Sequence, residues 1–345
     1  MAKRGRIAGG TIAVLVLVVA LGGYWAWRKV VGPSVSFAEK NKVLYIPRGA
    51  GFDAVMDSLR VLGALKDGTA FRWLCKQKKY TDNVKAGRYL IPKGMSMNAL
   101  VNRLRSGEQE PVRVTFNGIQ RLPELAEKLG RDLEPDRMDF LRMLQDEDGQ
   151  RKAGYSAETY IALFIPNTYE FWWTTTPAQF VERMGKEYNI FWTAERKRKA
   201  AALKLTPVEV STLASIVQAE TVKRSDAPTI AGVYLNRLRI GMPLQADPTL
   251  KFALGVDSIS RILTKDTEVI SPYNTYKNRG LPPGPINMAG TSFLDAVLNA
   301  AEHDYLYFCA RADLSGYSDF ARTYEQHLVY ARKYRKALNE RGIYR

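Results

Sequence analysis

Cysteine and histidine are almost missing from this chain, with two of each in 345 residues. Cys75 and Cys309 stand far apart, one in an apolar helix-like stretch and one in the strand-like run Tyr305-Leu-Tyr-Phe-Cys-Ala310. That excludes a disulfide-stapled scaffold and points to buried free thiols. With only His303 and His327, a histidine-rich metal centre has no support, and a serine–histidine nucleophile is not suggested either. No metal and no other cofactor is expected. Zinc-finger spacing is lacking too, and the basic residues are scattered apart from Arg196-Lys197-Arg198-Lys199. That run reads as a solvated helix face, so nucleic acid is not an expected partner. A second long apolar stretch is also absent; the single uncharged run of membrane length is Ile7–Trp27.

What is present starts with charge. Lysine and arginine outnumber aspartate and glutamate by 51 to 35, and the net +16 suits an anionic neighbour such as a membrane surface or a wall polymer. At 46% hydrophobic and 25% charged, the chain can bury one large core or two smaller ones. As a helix, Ile7–Trp27 would span about 30 Å, the hydrocarbon thickness of one bilayer. Lys3, Arg4 and Arg6 precede it, and Trp25 and Trp27 mark its far end. A cleaved signal peptide would have a shorter apolar core and a small-residue cleavage site. Here Trp25, Trp27, Arg28 and Lys29 follow instead, which favours a retained anchor, although Arg28 and Lys29 blur the charge bias that sets orientation.

An internal repeat follows a polar linker at 30–42. Ile46-Pro47-Arg48-Gly49 with Phe52, Val55, Met56 and Leu59 matches Ile91-Pro92-Lys93-Gly94 with Met97, Leu100, Val101 and Leu104, at a constant offset of 45. Each copy reads as a short strand, a turn and an amphipathic helix. A looser third copy begins at Val112–Phe116, with a helix at Leu122, Leu125, Ala126 and Leu129.

The richest stretch runs from Thr206 to Pro248. Thr206 can cap a helix, Pro207 suits its first position, and Glu209 can close a capping box. Leu213, Ile216 and Val217 form an apolar stripe whose next member is Glu220. A carboxyl continuing a buried face near a helix C-terminus has two reasons for a raised pKa, burial and the helix dipole. A general acid working near neutral pH needs that rise. The alternative is a structural carboxylate paired with Arg237 or another base of a second helix, Ala227–Ile240, which Gly241 would stop. Polar loops with amide, hydroxyl and aromatic groups follow.

The segments Ala214–Thr221 (ASIVQAET), Ala231–Thr249 (AGVYLNRLRIGMPLQADPT), Ser271–Tyr276 (SPYNTY) and Gly280–Ile286 (GLPPGPI) resemble the endolytic murein transglycosylases, the MltG/YceG-like family. The likeness runs from the N-terminal anchor through most of the chain. It implies an α+β protein made of a cytoplasmic tip and transmembrane helix (1–29), the linker, a repeated LysM-like α/β module (43–116) and a mixed α+β catalytic domain (117–345). Glu220 falls on the family's catalytic glutamate. Gln245, Ser271, Tyr273, Asn274 and Thr275 would orient the sugar's N-acetyl and hydroxyl groups, and Asp247 would order its loop before Pro248. Some family features are altered: Asn167 replaces an aspartate, and Ser318 and Leu328 stand where a histidine and an asparagine are usual. No role is carried onto that tail, and His327 reads as structural.

The resemblance implies cleavage of the MurNAc–GlcNAc β-1,4 bond within peptidoglycan strands, a 1,6-anhydro end, and termination of strand growth. It places the body outside the cytoplasmic membrane, alongside a peptidoglycan synthase it does not identify. Glycoside hydrolysis ordinarily takes two carboxylates. The matched motifs supply Glu220 and, as the only other acid in a matched polar loop, Asp247, which suits a reaction needing one. A lysozyme-like hydrolase using Asp247, and a catalytically silent wall-binding protein, are the alternatives. The repeat module reads equally as a glycan binder and as a spacer.

Overall fold

The computed structural model describes residues 2–35, 37–256 and 262–342, and of these the backbone alone at 2–14, 26, 29 and 264. The flanking basic residues Lys3, Arg4 and Arg6 thus lie outside the described side chains. The chain divides into two compact units. The first comprises 1–113 with 132–134 and 170–175, and the second comprises 114–131, 135–169 and 176–345. The protein is mixed α+β, with helices dominating three two-stranded sheets among the described residues.

The first unit opens with α1 (Ala2–Val31). From Leu15 to Leu21 its large apolar side chains are all exposed, as are Tyr24, Trp25 and Trp27. Among the described residues no single helix is long and apolar enough to cross a membrane; the apolar part of α1 that is described is Leu15–Trp25. The repeat follows as β1 (Asn41–Ile46), α2 (Phe52–Val61), α3 (Gly68–Gln77), β2 (Gly87–Pro92) and α4 (Met97–Ser106). β1 and β2 pair antiparallel, and Leu44 sits opposite Tyr89, its own equivalent 45 residues on. The two strand–turn–helix copies therefore meet about a local two-fold at that pair. Alternation along both strands buries Leu44, Ile46, Tyr89 and Ile91, while α2 and α4 bury the repeat positions Val55, Leu59, Leu100 and Leu104. α3 lies outside the repeat and adds Phe71, Leu74 and Cys75 to the same core. Returning segments close this unit: Trp173 packs its ring 4.9 Å from that of Tyr45, and Glu134 accepts the Arg48 backbone N–H at 2.6 Å. Trp172, its neighbour, is half exposed.

The second unit begins within β3 (Val112–Phe116), which pairs with β4 (Asn167–Phe171). Between them run α5 (Leu122–Asp132), α6 (Arg137–Leu144) and α7 (Glu147–Lys152). Then come α8 (Pro177–Phe191), α9 (Ala194–Ala202), α10 (Pro207–Glu220), α11 (Ala227–Arg239), α12 (Asp247–Leu254) and α13 (Thr291–Leu298). The hairpin β5 (Tyr307–Ala310) and β6 (Ser318–Ala321) and the terminal α14 (Tyr324–Glu340) complete it. α10 is the hub, packed by α9, α11, α12 and α13.

The expected one-sided stripe on α10 is wider than its sequence suggests, because every residue from Val210 to Val217 is buried. Its polar members survive there by bonding within the helix. Ser211 donates to Pro207 O at 3.0 Å, Thr212 to Val208 O at 2.9 Å and Ser215 to Thr212 O at 2.7 Å. α11 comes close to the segment after α13 only because residue 232 is glycine. A Cβ there would lie 2.5 Å from Ala301 O and 2.6 Å from His303 Nε2. Cys75 and Cys309 are both free thiols.

Candidate active site

α10 delivers Glu220 through a start and an end that the local sequence dictates. Thr206 Oγ1 accepts the Glu209 N–H at 3.2 Å while Glu209 accepts the Thr206 N–H at 2.7 Å, closing the capping box behind Pro207. At the other end Thr221 turns extended, so Glu220 is the last helical residue. Ser215 Oγ accepts the Ile286 N–H at 3.0 Å, and Asn287 donates to the Ser215 carbonyl at 2.9 Å, which pins the Pro-rich loop to the helix. Gln218 does the same one turn on, accepting the Gly290 N–H at 2.7 Å and donating to Asn287 at 3.1 Å.

Glu220 is half-buried, and loss of hydration pushes its carboxyl from the usual 4.5 up to about 7. The Tyr234 hydroxyl, which donates to Glu220 Oε1 at 3.0 Å, pulls the other way, as do the charges of Arg237 and Lys251. The negative charge of Asp247 reinforces the rise. Burial wins. Tyr234 is itself enclosed, edge-on to Phe308 at 5.8 Å, and burial drives its own pKa well above the usual value, so it stays a donor.

Arg237 is not the structural partner that the sequence allowed for Glu220. Its Nε donates to Leu306 O at 2.7 Å, one terminal nitrogen donates to Leu244 O at 2.5 Å, and its guanidinium lies 5.3 Å from the Tyr307 ring centre. Among the described residues no ion pair joins it to Glu220. The cation is held by backbone carbonyls, near enough to moderate the carboxyl but not to neutralise it.

The polar loops do gather beside this helix end. Asp247 opens α12 with an exposed carboxylate that accepts the Tyr276 hydroxyl at 2.5 Å. Gln245 is exposed and adopts φ +51, a left-handed conformation that turns the chain just before Asp247. Ser271 accepts the Tyr273 N–H at 3.2 Å, and Tyr273 lays its ring 4.8 Å from Phe252. Asn274 and Thr275 are placed otherwise: they are 0% and 1% exposed. Asn274 donates to Thr267 O and Val269 O at 2.9 and 2.8 Å and accepts from Tyr276 N at 3.0 Å. Thr275 Oγ1 accepts the Ala246 N–H at 3.0 Å and shares a hydrogen bond of 2.8 Å with Thr249. Their polar atoms hold the loops together and present nothing outward.

Two residues that hydrogen-bond the candidate carboxyls, Tyr234 and Tyr276, escape a reading of the sequence. Tyr234 registers there only as an apolar-face position of α11, and Tyr276 only as the end of a loop. The signal available was the spacing of Tyr234 within a helix packed on α10, which requires the fold to interpret. His303 is structural, its Nε2 donating to Thr229 O at 2.9 Å while Nδ1 accepts from Tyr305 N at 3.1 Å. His327 stacks on Tyr307 at 5.6 Å. No group of metal-ligating side chains occurs among the described residues.

Residues 44–333 match the YceG-like family. A Bacillus subtilis protein named endolytic murein transglycosylase is 30% identical over 93% of this chain and 92% of its own length. A Streptococcus pneumoniae protein of the same name is 29% identical over 91% of this chain, which spans 62% of that longer relative. A YceG-like protein of Listeria monocytogenes has a solved structure that superposes with a TM-score of 0.54. The two are 28% identical, and the match covers 85% of this chain and 99% of that one.

Proposed function

The chain belongs to the YceG-like family, and on that premise we propose that it is a membrane-anchored lytic transglycosylase that cuts peptidoglycan glycan strands internally. The observation that carries the reading is Glu220, a carboxyl with a pKa of about 7 at the open end of a buried helix, hydrogen-bonded by Tyr234. A group raised this far toward neutral pH is populated in both forms there, so it can give a proton and take one back. Protonation of the glycosidic oxygen after N-acetylmuramic acid lets the β-1,4 bond to N-acetylglucosamine break. The carboxylate left behind then removes a proton from the same sugar's 6-hydroxyl as that oxygen closes on C1. The product carries a 1,6-anhydro end, and the acid is regenerated. The 2-acetamido group can stabilise the cation-like centre, so no protein nucleophile is required. Asp247 supports this by raising Glu220 electrostatically while Tyr276 fixes its own carboxylate.

Gln245, Ser271 and Tyr273 are the loop residues with side chains still accessible for sugar contacts; Asn274 and Thr275 act by building the loop. The exposed apolar side chains of α1 support a membrane anchor, and the paired copies at 43–116 support a LysM-like module ahead of a catalytic domain at 117–345. Internal cutting next to the membrane would terminate strand growth beside a synthase. The test is the mass of new ends after digestion of purified strands: an anhydro end is one water lighter than a reducing end. Reducing ends alone would mean hydrolysis with Asp247 as second carboxylate, and no new ends would mean a binding protein.

A further inference from the structure

The second unit holds a cavity of about 500 Å³ lined by neither Glu220 nor Asp247, of a size at which proteins hold small ligands, about 300–1,000 Å³. Its apolar floor is the Phe252–Tyr273 pair, with the Arg121 guanidinium 5.3 Å from the Phe252 ring centre. Gln150 also lines it and is 3% exposed. Its Nε2 donates to Leu144 O at 2.7 Å, while its Oε1 is buried with no hydrogen-bond partner. A buried amide oxygen left unpaired is costly, and a ligand N–H or O–H would satisfy it. Two elements lead from Asp247 to this place. α12 begins at Asp247 and brings Phe252 in about 7 to 8 Å further along its axis. The 271–276 loop holds Asp247 through Tyr276 and reaches the cavity through Tyr273.

We propose that this cavity is a distal subsite for an N-acetylated sugar of the glycan strand, with the ring face on the aromatic pair and an N–H or O–H donor on Gln150 Oε1. This rests on the reading of the protein as glycan-cleaving. A sugar fits better than a stem peptide, because the charged groups lining the cavity are one arginine, Arg121, against two glutamates, Glu147 and Glu158. A carboxylate-bearing peptide, or the free lactyl carboxylate of peptide-free N-acetylmuramic acid, would meet net negative charge there, so the sugar that fits is N-acetylglucosamine.

Ala157 lines the cavity, is exposed, and offers a way to fill it without deleting a contact. Binding of peptide-free glycan strands is measured on the Glu220→Gln chain with and without Ala157→Trp. The subsite predicts about tenfold weaker binding, with Ala157→Gln falling between and thermal midpoints unchanged. Unchanged affinity for both substitutions overturns the proposal. A loss seen only with strands that keep their peptides overturns the sugar assignment. Should the parent chain cut no glycan while its binding still depends on residue 157, the catalytic reading falls and the subsite stands.

Discussion

At the scale of single residues, the site turns on a carboxyl made reluctant to ionise. The fold favours the protonated form of Glu220, so between pH 4.5 and about 7 the folded chain holds a proton that the unfolded chain has released. Stability contributed by this group is therefore intact at low pH, declines through that window, and is lost above it. At about 1.4 kcal/mol per pH unit, the loss is at most on the order of 3 kcal/mol. Glu220→Gln keeps the shape and can still accept from Tyr234, without the ionisation. It is expected to unfold at higher denaturant than the parent at pH 8 and near the parent's midpoint at pH 4.5. Its cleavage rate should drop by roughly 10² to 10⁴ or more, because one group serves both half-steps. Near-normal turnover in that variant would remove Glu220 from the mechanism. Tyr234 gives a sharper check. Its hydroxyl stabilises the ionised carboxyl, so Tyr234→Phe should raise the pKa of Glu220 further and move the alkaline fall of kcat/KM to higher pH. A merely structural tyrosine would lower activity without shifting that limb.

Among elements, the 244–249 and 271–278 segments behave as one body clamped by Thr275. Gln245 N donates to Thr275 O at 3.0 Å, and the Thr275 hydroxyl serves both Ala246 and Thr249. Thr275→Val would leave the buried Ala246 N–H without its acceptor, at a cost of about 1–3 kcal/mol, and would loosen the start of α12 that carries Asp247. The expected outcome is that loss in urea unfolding together with reduced kcat, both largely restored in Thr275→Ser. Equal turnover in the valine variant would show that Asp247 needs no such support. The same clamp marks where the sequence stops being legible. α10 could be read from Thr206, Pro207 and Glu209 because capping is local chemistry, and the 45-residue repeat could be read because periodicity survives without a fold. Glu220 stood out because a charge on an apolar stripe is an anomaly in one dimension. The resemblance offered Asn274 and Thr275 as sugar-orienting residues, and their burial inside the loops could not be read because an amide or hydroxyl looks the same in sequence whether it faces a cleft or its own loop. Tyr234 looked like core because it is core, and only the packing of α11 on α10 turns its hydroxyl onto a carboxyl.

Across the whole molecule, charge and apolarity make separate claims on the membrane that experiment can separate. The net +16 would draw any such chain to an anionic surface, and that attraction fades as salt shortens the screening length to about 3 Å at 1 M. α1 offers something salt does not touch, a helix whose described side chains from Leu15 to Trp27 are apolar and exposed on every face. Thirty helical residues extend about 45 Å, and the described apolar part of them is Leu15–Trp25. Full-length protein should therefore stay with sedimented membranes in 1 M salt and leave them in detergent. A chain lacking residues 1–27 keeps Val30 and the core it packs against, so it should be soluble without detergent and cut isolated strands at the parent's kcat. Release of the full-length protein by salt alone would reduce α1 to a peripheral contact and leave the positive charge as the whole of the attachment. Loss of cleavage in the shortened chain, with its fold intact, would mean instead that α1 contributes to the reaction.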